Sequence, residues 1–231
     1  MIGWPKIMTV VLVLGVGTCM AATSERETTR IVSLVPSVTE ILFALGARDQ
    51  VVGVSDYCKF PPEAAMLPRA GGLLNPSLEQ VLLLRPTLVV LYRAQADVVV
   101  KLEQLGVKAA MVSCDTTTEV IRLVREAGAW TGREAEAERV VRELEDGLNA
   151  LTCATGHLRH PSVLLVISRD ATDLAGIYAA GTNSYHGELL ARAGGHNVIG
   201  EVPVPTVSVS KEQIIRLDPE VIIDMSYGEQ A

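Results

Sequence analysis

Ser77-Leu78-Glu79-Gln80-Val81-Leu82-Leu83-Leu84-Arg85-Pro86-Thr87-Leu88-Val89-Val90 is matched without a gap by Ser210-Lys211-Glu212-Gln213-Ile214-Ile215-Arg216-Leu217-Asp218-Pro219-Glu220-Val221-Ile222-Ile223. Each copy reads as a helix followed by a strand. A weaker echo pairs Glu40-Ile41-Leu42 and Gly46 with Glu188-Leu189-Leu190 and Gly194. Repetition at this distance argues for two similar lobes rather than a short-period solenoid. Two lobes enclose a cleft, and clefts between domains are where small ligands bind.

Outward from the repeat, strand-like and helix-like segments alternate, which argues for parallel sheets covered by helices. Ile31 to Val35 reads as a strand, and Ser37-x-x-Glu40 as the capping box of a helix that Gly46 stops. Val51 to Val54 is a short strand before a Pro-rich loop. Asn75 and Pro76 read as the cap and first residue of the next helix. That helix ends before Pro86, and Leu88 to Leu91 is a strand. Helix 96–105, strand 107–112 and helix 119–130 complete a first lobe, residues 30–131. The second lobe, from residue 160 to 231, starts with strand 162–167 and a short strand near 177–179. Helix 185–193, helix 211–217, with Ser210-x-x-Gln213 as a capping box, and strand 221–224 follow.

Between the lobes, at 132–155, a flexible linker would be rich in Gly and Ser. Instead Ala137, Val140, Val141, Leu144, Leu148 and Leu151 fall at helical spacing among charged residues. The segment reads as a stiff helical rod. The expected fold is α/β, with two Rossmann-like lobes joined by one long rigid α-helix. After strand 221–224 only Met225 to Ala231 remain, whereas the first lobe continues past its equivalent strand. The second lobe is therefore expected to be incomplete, through a truncated sequence.

The 231 residues are 48% apolar and only 4% aromatic, with a formal net charge of −7 and no basic block. Nucleic-acid binding, which needs clustered Lys and Arg, is excluded on that ground. Lys6, the apolar run Ile7 to Val16 and small residues from Thr18 to Ala22 form a signal peptide at 1–22. Cleavage falls near Ala21 or Ala22, or else Cys19 is a lipidated first residue, although Thr18 matches a lipobox poorly. Cys58, Cys114 and Cys153 form no CxxC pair, so no zinc site is signalled. Export permits disulfides. Cys58 and Cys114 both follow strands, which leaves two readings open: a pair at one sheet edge, or free thiols.

Arg30-Ile31-Val32-Ser33-Leu34-Val35-Pro36-Ser37-x-Thr39-Glu40, Val52-Gly53-Val54-Ser55-Asp56-Tyr57, Pro61-Pro62-Glu63-Ala64 and Gly71-Gly72-x-x-Asn75-Pro76-Ser77-Leu78-Glu79 occur in this order. Together they resemble the helical-backbone periplasmic binding proteins, the substrate-binding subunits of ABC importers for cobalamin, ferric siderophores and haem, and most closely the cobalamin branch. The resemblance spans about 30–224. It implies a monomer with ligand in the inter-lobe cleft, no cofactor beyond that transported corrinoid or ferric chelate, and a permease dimer in the inner membrane as partner. It also implies that one acidic residue of each lobe docks to permease arginines. The matching positions are Glu79 and Glu212, which are equivalent in the internal repeat as well. A carboxylate in the first turn of a helix is favoured by the dipole and forms charge-assisted pairs with Arg.

Strand C-termini and helix N-termini should line the cleft. The expected contacts are Ser37, Val38, Tyr57, Leu73, Tyr178, Tyr185 and His186, of which Tyr57 and Tyr178 match aromatic positions of the cobalamin binders. Leu73 and Val204 stand where those proteins carry Trp, which removes ring area for a flat macrocycle. His186 is a candidate axial ligand to the metal of a bound chelate, and equally a cap or cleft-edge side chain. No resident metal is expected. Two other classes compete with a binding subunit. An exported enzyme would need a nucleophile and base, but GxSxG, HExxH and glycine-rich phosphate loops are missing from the sequence. A sensor module that keeps the fold without transport fits the ring-poor cleft and short second lobe.

Overall fold

The computed structural model describes residues 29–72, 75–170, 176–202 and 204–225. The signal peptide, Cys19 and Leu73 lie outside the described residues.

The first sheet is built from β1 (Ile31–Ser33), β2 (Val51–Val54), β3 (Leu88–Tyr92) and β4 (Ala109–Val112), ordered β2-β1-β3-β4. Every pair is parallel, so each connection must cross over through other structure. The helices are α1 (Pro36–Ala44), α2 (Leu78–Leu83), α3 (Ala96–Gln104) and α4 (Thr117–Thr131). Successive strand residues face opposite sides. Ile31 and Val90 pack with Val38, Leu42, Leu123 and Val124 of α1 and α4. Val32, Val89 and Leu91 pack with Val81 and Leu102 of α2 and α3. Burial on both faces accounts for the near-continuous apolar strands.

Gly132, at φ 67°, turns α4 into α5 (Glu134–Thr155). A Cβ on Gly128 would lie 2.6 Å from Ala137 Cβ, so glycine there is what permits the close α4–α5 approach. Ala137 and Val141 anchor the start of α5 in the first core. At 1.5 Å per residue α5 is a rod of about 33 Å.

The second sheet holds β5 (Ser162–Ser168), β6 (Ile177–Ala180), β7 (His196–Asn197), β8 (Thr206–Val209) and β9 (Val221–Asp224), with α6 (Tyr185–Arg192) and α7 (Lys211–Leu217). β7 and β9 are parallel to β5. β6 runs antiparallel to β5, and β8 antiparallel to β6. This corrects the expectation of a parallel sheet. The link 169–176 is too short for a crossover, which needs a dozen or more residues.

Two helix starts also differ from the sequence reading. α1 begins at Pro36 after Val35, with no side-chain cap bond, so the Ser37–Glu40 box does not form. Proline is preorganised for the first helical position and sets the start one residue earlier. In α2 the cap is Ser77, whose hydroxyl accepts the Gln80 N–H at 3.3 Å. Asn75 and Pro76 precede the helix in an extended stretch, held by an isolated Pro76–Gly71 bridge and by Ser77 N–H to Ala70 O at 2.9 Å.

The sequence repeat extends to the backbone. Arg85 (φ 47°) and Asp218 (φ 44°), equivalent residues before Pro86 and Pro219, are the non-glycine residues with left-handed φ among those described. A left-handed residue at the helix end turns the chain into the following strand.

Candidate ligand-binding cleft

The loops after the parallel strands of the first lobe face the N-terminal turn of α6 from the second. Ser37 of α1, Cys114 beyond β4, and Tyr185 and His186 of α6 share one cavity of about 550 Å³. Its apolar wall comes from α1, α4 and α5, including Ile41, Val124 and Leu144. A smaller hollow of about 250 Å³ is lined by Tyr185, Leu189 and the α4 and α5 side chains Thr117, Ile121 and Leu148.

The expected contact residues divide. Ser37, Tyr185 and His186 meet in the cavity. Val38 is fully buried among the α1 core residues, so its side chain offers the cleft no surface. A helix cannot point adjacent side chains the same way. Tyr57, in the turn after β2, is 61% exposed, and Tyr178 on β6 is 45% exposed. Both rings are therefore free of the core, but neither lines this cavity. Val204 is exposed as well. Glu79 and Glu212 are exposed second residues of α2 and α7, two positions after the serine caps Ser77 and Ser210.

The electrostatics follow from burial. The His186 imidazole is held below its ordinary pKa because burial disfavours the cation. It presents a neutral ring at pH 7, edge-on to Tyr185 at 5.3 Å. Glu40 lines the same cavity, and desolvation raises its carboxyl above the ordinary value. Ser37 Oγ lies 3.6 Å from Cys114 Sγ, a weak contact between thiol and hydroxyl with no base in it. Cys58, Cys114 and Cys153 are all free thiols. Cys58 is buried against Thr39 Oγ1 at 3.2 Å and Ser55 Oγ at 3.1 Å, whereas Cys114 is half-buried beside Ser37, and no disulfide joins them. Among the described residues no group of three or more His, Cys, Asp or Glu could hold a metal ion.

Sequence reasoning missed a polar network beside the cavity. Tyr92 donates its hydroxyl to Asp115 Oδ1 at 2.6 Å, and Ser113 donates to Glu119 Oε2 at 2.8 Å. Burial, followed by the bond and charge of Asp115, pushes the Tyr92 phenol well above its ordinary value. Glu188, flagged only as part of the weaker echo, accepts from Thr117 across the lobes.

Residues 31–230 match the family described as periplasmic binding protein. The chain belongs to that family. It is 29% identical to the vitamin B12-binding protein of Salmonella typhimurium over 196 residues, 84% of this chain and 71% of that protein. Among solved structures it is similar to a periplasmic heme binding protein from Pseudomonas aeruginosa, with a TM-score of 0.74, 28% identity, and 87% and 74% of the two chains covered. It is also similar to the periplasmic heme-binding protein RhuT from Roseiflexus sp. RS-1, with a TM-score of 0.70, 30% identity and 84% and 75% coverage. The two-lobed α/β architecture of this periplasmic binding protein is thus shared with its structural neighbours, and its relatives are binding proteins rather than enzymes.

Proposed function

We propose that this chain is the extracytoplasmic substrate-binding subunit of an ABC importer and captures a metal-chelate nutrient, a corrinoid first of all. Its working parts are lobes at 30–131 and 160–231, with the helix at 132–155 between them and an export signal at 1–22. The observation that carries the reading is the cavity where the first turns of α1 and α6 meet between the lobes. Helix starts supply the polar contacts to the ligand, and the α1, α4 and α5 side chains supply apolar area. Tyr57 and Tyr178 carry exposed rings, available to a flat ligand in this reading. The similarity to a vitamin B12-binding protein supports the corrinoid.

A ferric chelate or haem is the second reading. It is favoured by the neutral His186 imidazole on the cavity wall, a nitrogen donor suited to iron or cobalt. The heme-binding neighbours support it. Titration of the mature protein with cyanocobalamin, cobinamide, haemin and a ferric hydroxamate, followed by absorbance and Trp130 emission, separates the readings. Saturable binding of one probe assigns the class, and silence with all four sinks the capture role.

Docking to a two-fold permease rests on Glu79 and Glu212, equivalent and exposed in the two halves. Glu79→Arg combined with Glu212→Arg should abolish uptake in cells while leaving ligand affinity within twofold. Unchanged uptake would remove the docking assignment.

A further inference from the structure

The two lobes are joined by more than the rod. The Thr117 N–H, the first of α4, donates to Glu188 Oε2 at 2.9 Å, and the Thr117 hydroxyl donates to the same oxygen. Glu188 belongs to α6 in the other lobe. A helix N-terminus leaves its first N–H groups without intrahelical partners and carries partial positive charge. The α4 cap Thr116 accepts the Glu119 N–H on its hydroxyl at 3.2 Å and the Val120 N–H on its carbonyl at 3.0 Å, and leaves the Thr117 N–H to another partner. A carboxylate from the opposite lobe therefore completes the start of α4 with two charge-assisted bonds. Beside it the Tyr185 N–H donates to Asp115 O at 2.5 Å. At the far end of α6, Thr155 Oγ1 of the rod donates to Arg192 O at 2.7 Å. Both ends of α6 are thus pinned, one to the first lobe and one to α5.

We propose that Glu188 is a positioning residue: it clasps the second lobe to the N-terminus of α4 and so fixes how Tyr185 and His186 face Ser37 across the cavity. This goes beyond the ligand assignment and does not depend on it. Without the clasp, the rod and the Thr155 contact still join the lobes, but the α6 start is free to swing away from Asp115.

Amide hydrogen exchange on the ligand-free mature protein reads this directly. The informative amide is Tyr185, because its acceptor is a backbone carbonyl that no substitution at Glu188 removes. In Glu188→Ala its exchange should rise at least tenfold, while β1 and β3 amides stay as in the wild type. Glu188→Gln keeps an acceptor oxygen and should return Tyr185 to within threefold of wild type. Thr117→Val, which deletes one donor and leaves the carboxylate, should fall between them, and it keeps the inference testable should Glu188→Ala not fold. Wild-type exchange at Tyr185 in Glu188→Ala and Thr117→Val would overturn the clasp. A uniform rise across both lobes would do the same, by showing a general loss of stability.

Discussion

β3 and β9 occupy the same place in the repeat, follow helices with the same serine cap, and are entered through the same left-handed residue, yet they end in opposite environments. Val89, Val90 and Leu91 are fully buried, whereas Val221, Ile222 and Ile223 are 40%, 55% and 41% exposed. β3 lies between β1 and β4 with helices on both faces. Among the described residues β9 pairs only with β5. A β-branched run specifies a strand, because it suits a pleated, half-buried surface. Neighbours decide whether that strand becomes core. The hydrophobic contribution, about 25 cal/mol per Å² of apolar surface removed from water, is collected by the first copy and largely not by the second.

The sharpest way to break this comparison is to place the same charge at both equivalent positions. Val90→Asp buries a carboxylate without a partner and should prevent the first lobe from folding, a loss of several kcal/mol. Ile223→Asp meets solvent and should cost no more than about 1 kcal/mol. Urea unfolding of both variants checks the pair. Equal losses would mean that β9 is as enclosed in solution as β3.

How much of this was legible in the sequence differs by region for the same physical reason. The rod at α5 and the alternation of the first lobe were readable because periodicity and burial agree there, as at Ala137 and Val141. The antiparallel direction of β6 and the existence of β8 were not, because β8 is Thr-Val-Ser-Val, a half-exposed edge strand without a continuous apolar run. In the cleft, the residue types at Tyr185 and His186 were visible from the helix start they occupy. Val38 was misassigned because a first-turn position does not reveal which way a side chain points. The Glu188–Thr117 bond joins residues far apart in sequence, and nothing local in either segment announces it.

The two caps give a smaller contrast. Ser77→Ala should lower global stability by about 1 kcal/mol, because α2 carries buried Val81 into the first core. Ser210→Ala removes an equally good cap bond, at 3.2 Å to the Gln213 N–H. However, α7 has no buried residue, so the loss should appear as faster amide exchange within α7 and leave the urea midpoint unmoved. A shared midpoint shift would show that α7 unfolds together with the rest.

His186 supplies an effect confined to one pH window. Its folded pKa is lowered from 6.5 by burial, so as pH falls below 6.5 the unfolded chain takes up the proton first. Stability held above that value should therefore decline as pH drops toward the folded pKa. Urea midpoints between pH 7.5 and 5 should show a decline that is shallower in His186→Gln.

The smallest effect concerns the acids of the repeat. Glu212 titrates below 4.5, first because its own backbone N–H bonds the carboxylate and then because the Ser210 hydroxyl does. With the folded value depressed, this group stabilises the fold above the unfolded pKa, and that contribution is lost as pH falls through the lower folded value. The carboxylate is exposed, so the shift should be visible as a carboxyl carbon titration by NMR and scarcely at all in the unfolding curve. Ser210→Ala should raise the midpoint partway, since the backbone bond remains. A midpoint that stays put in that variant would assign the whole depression to the backbone N–H at the helix start.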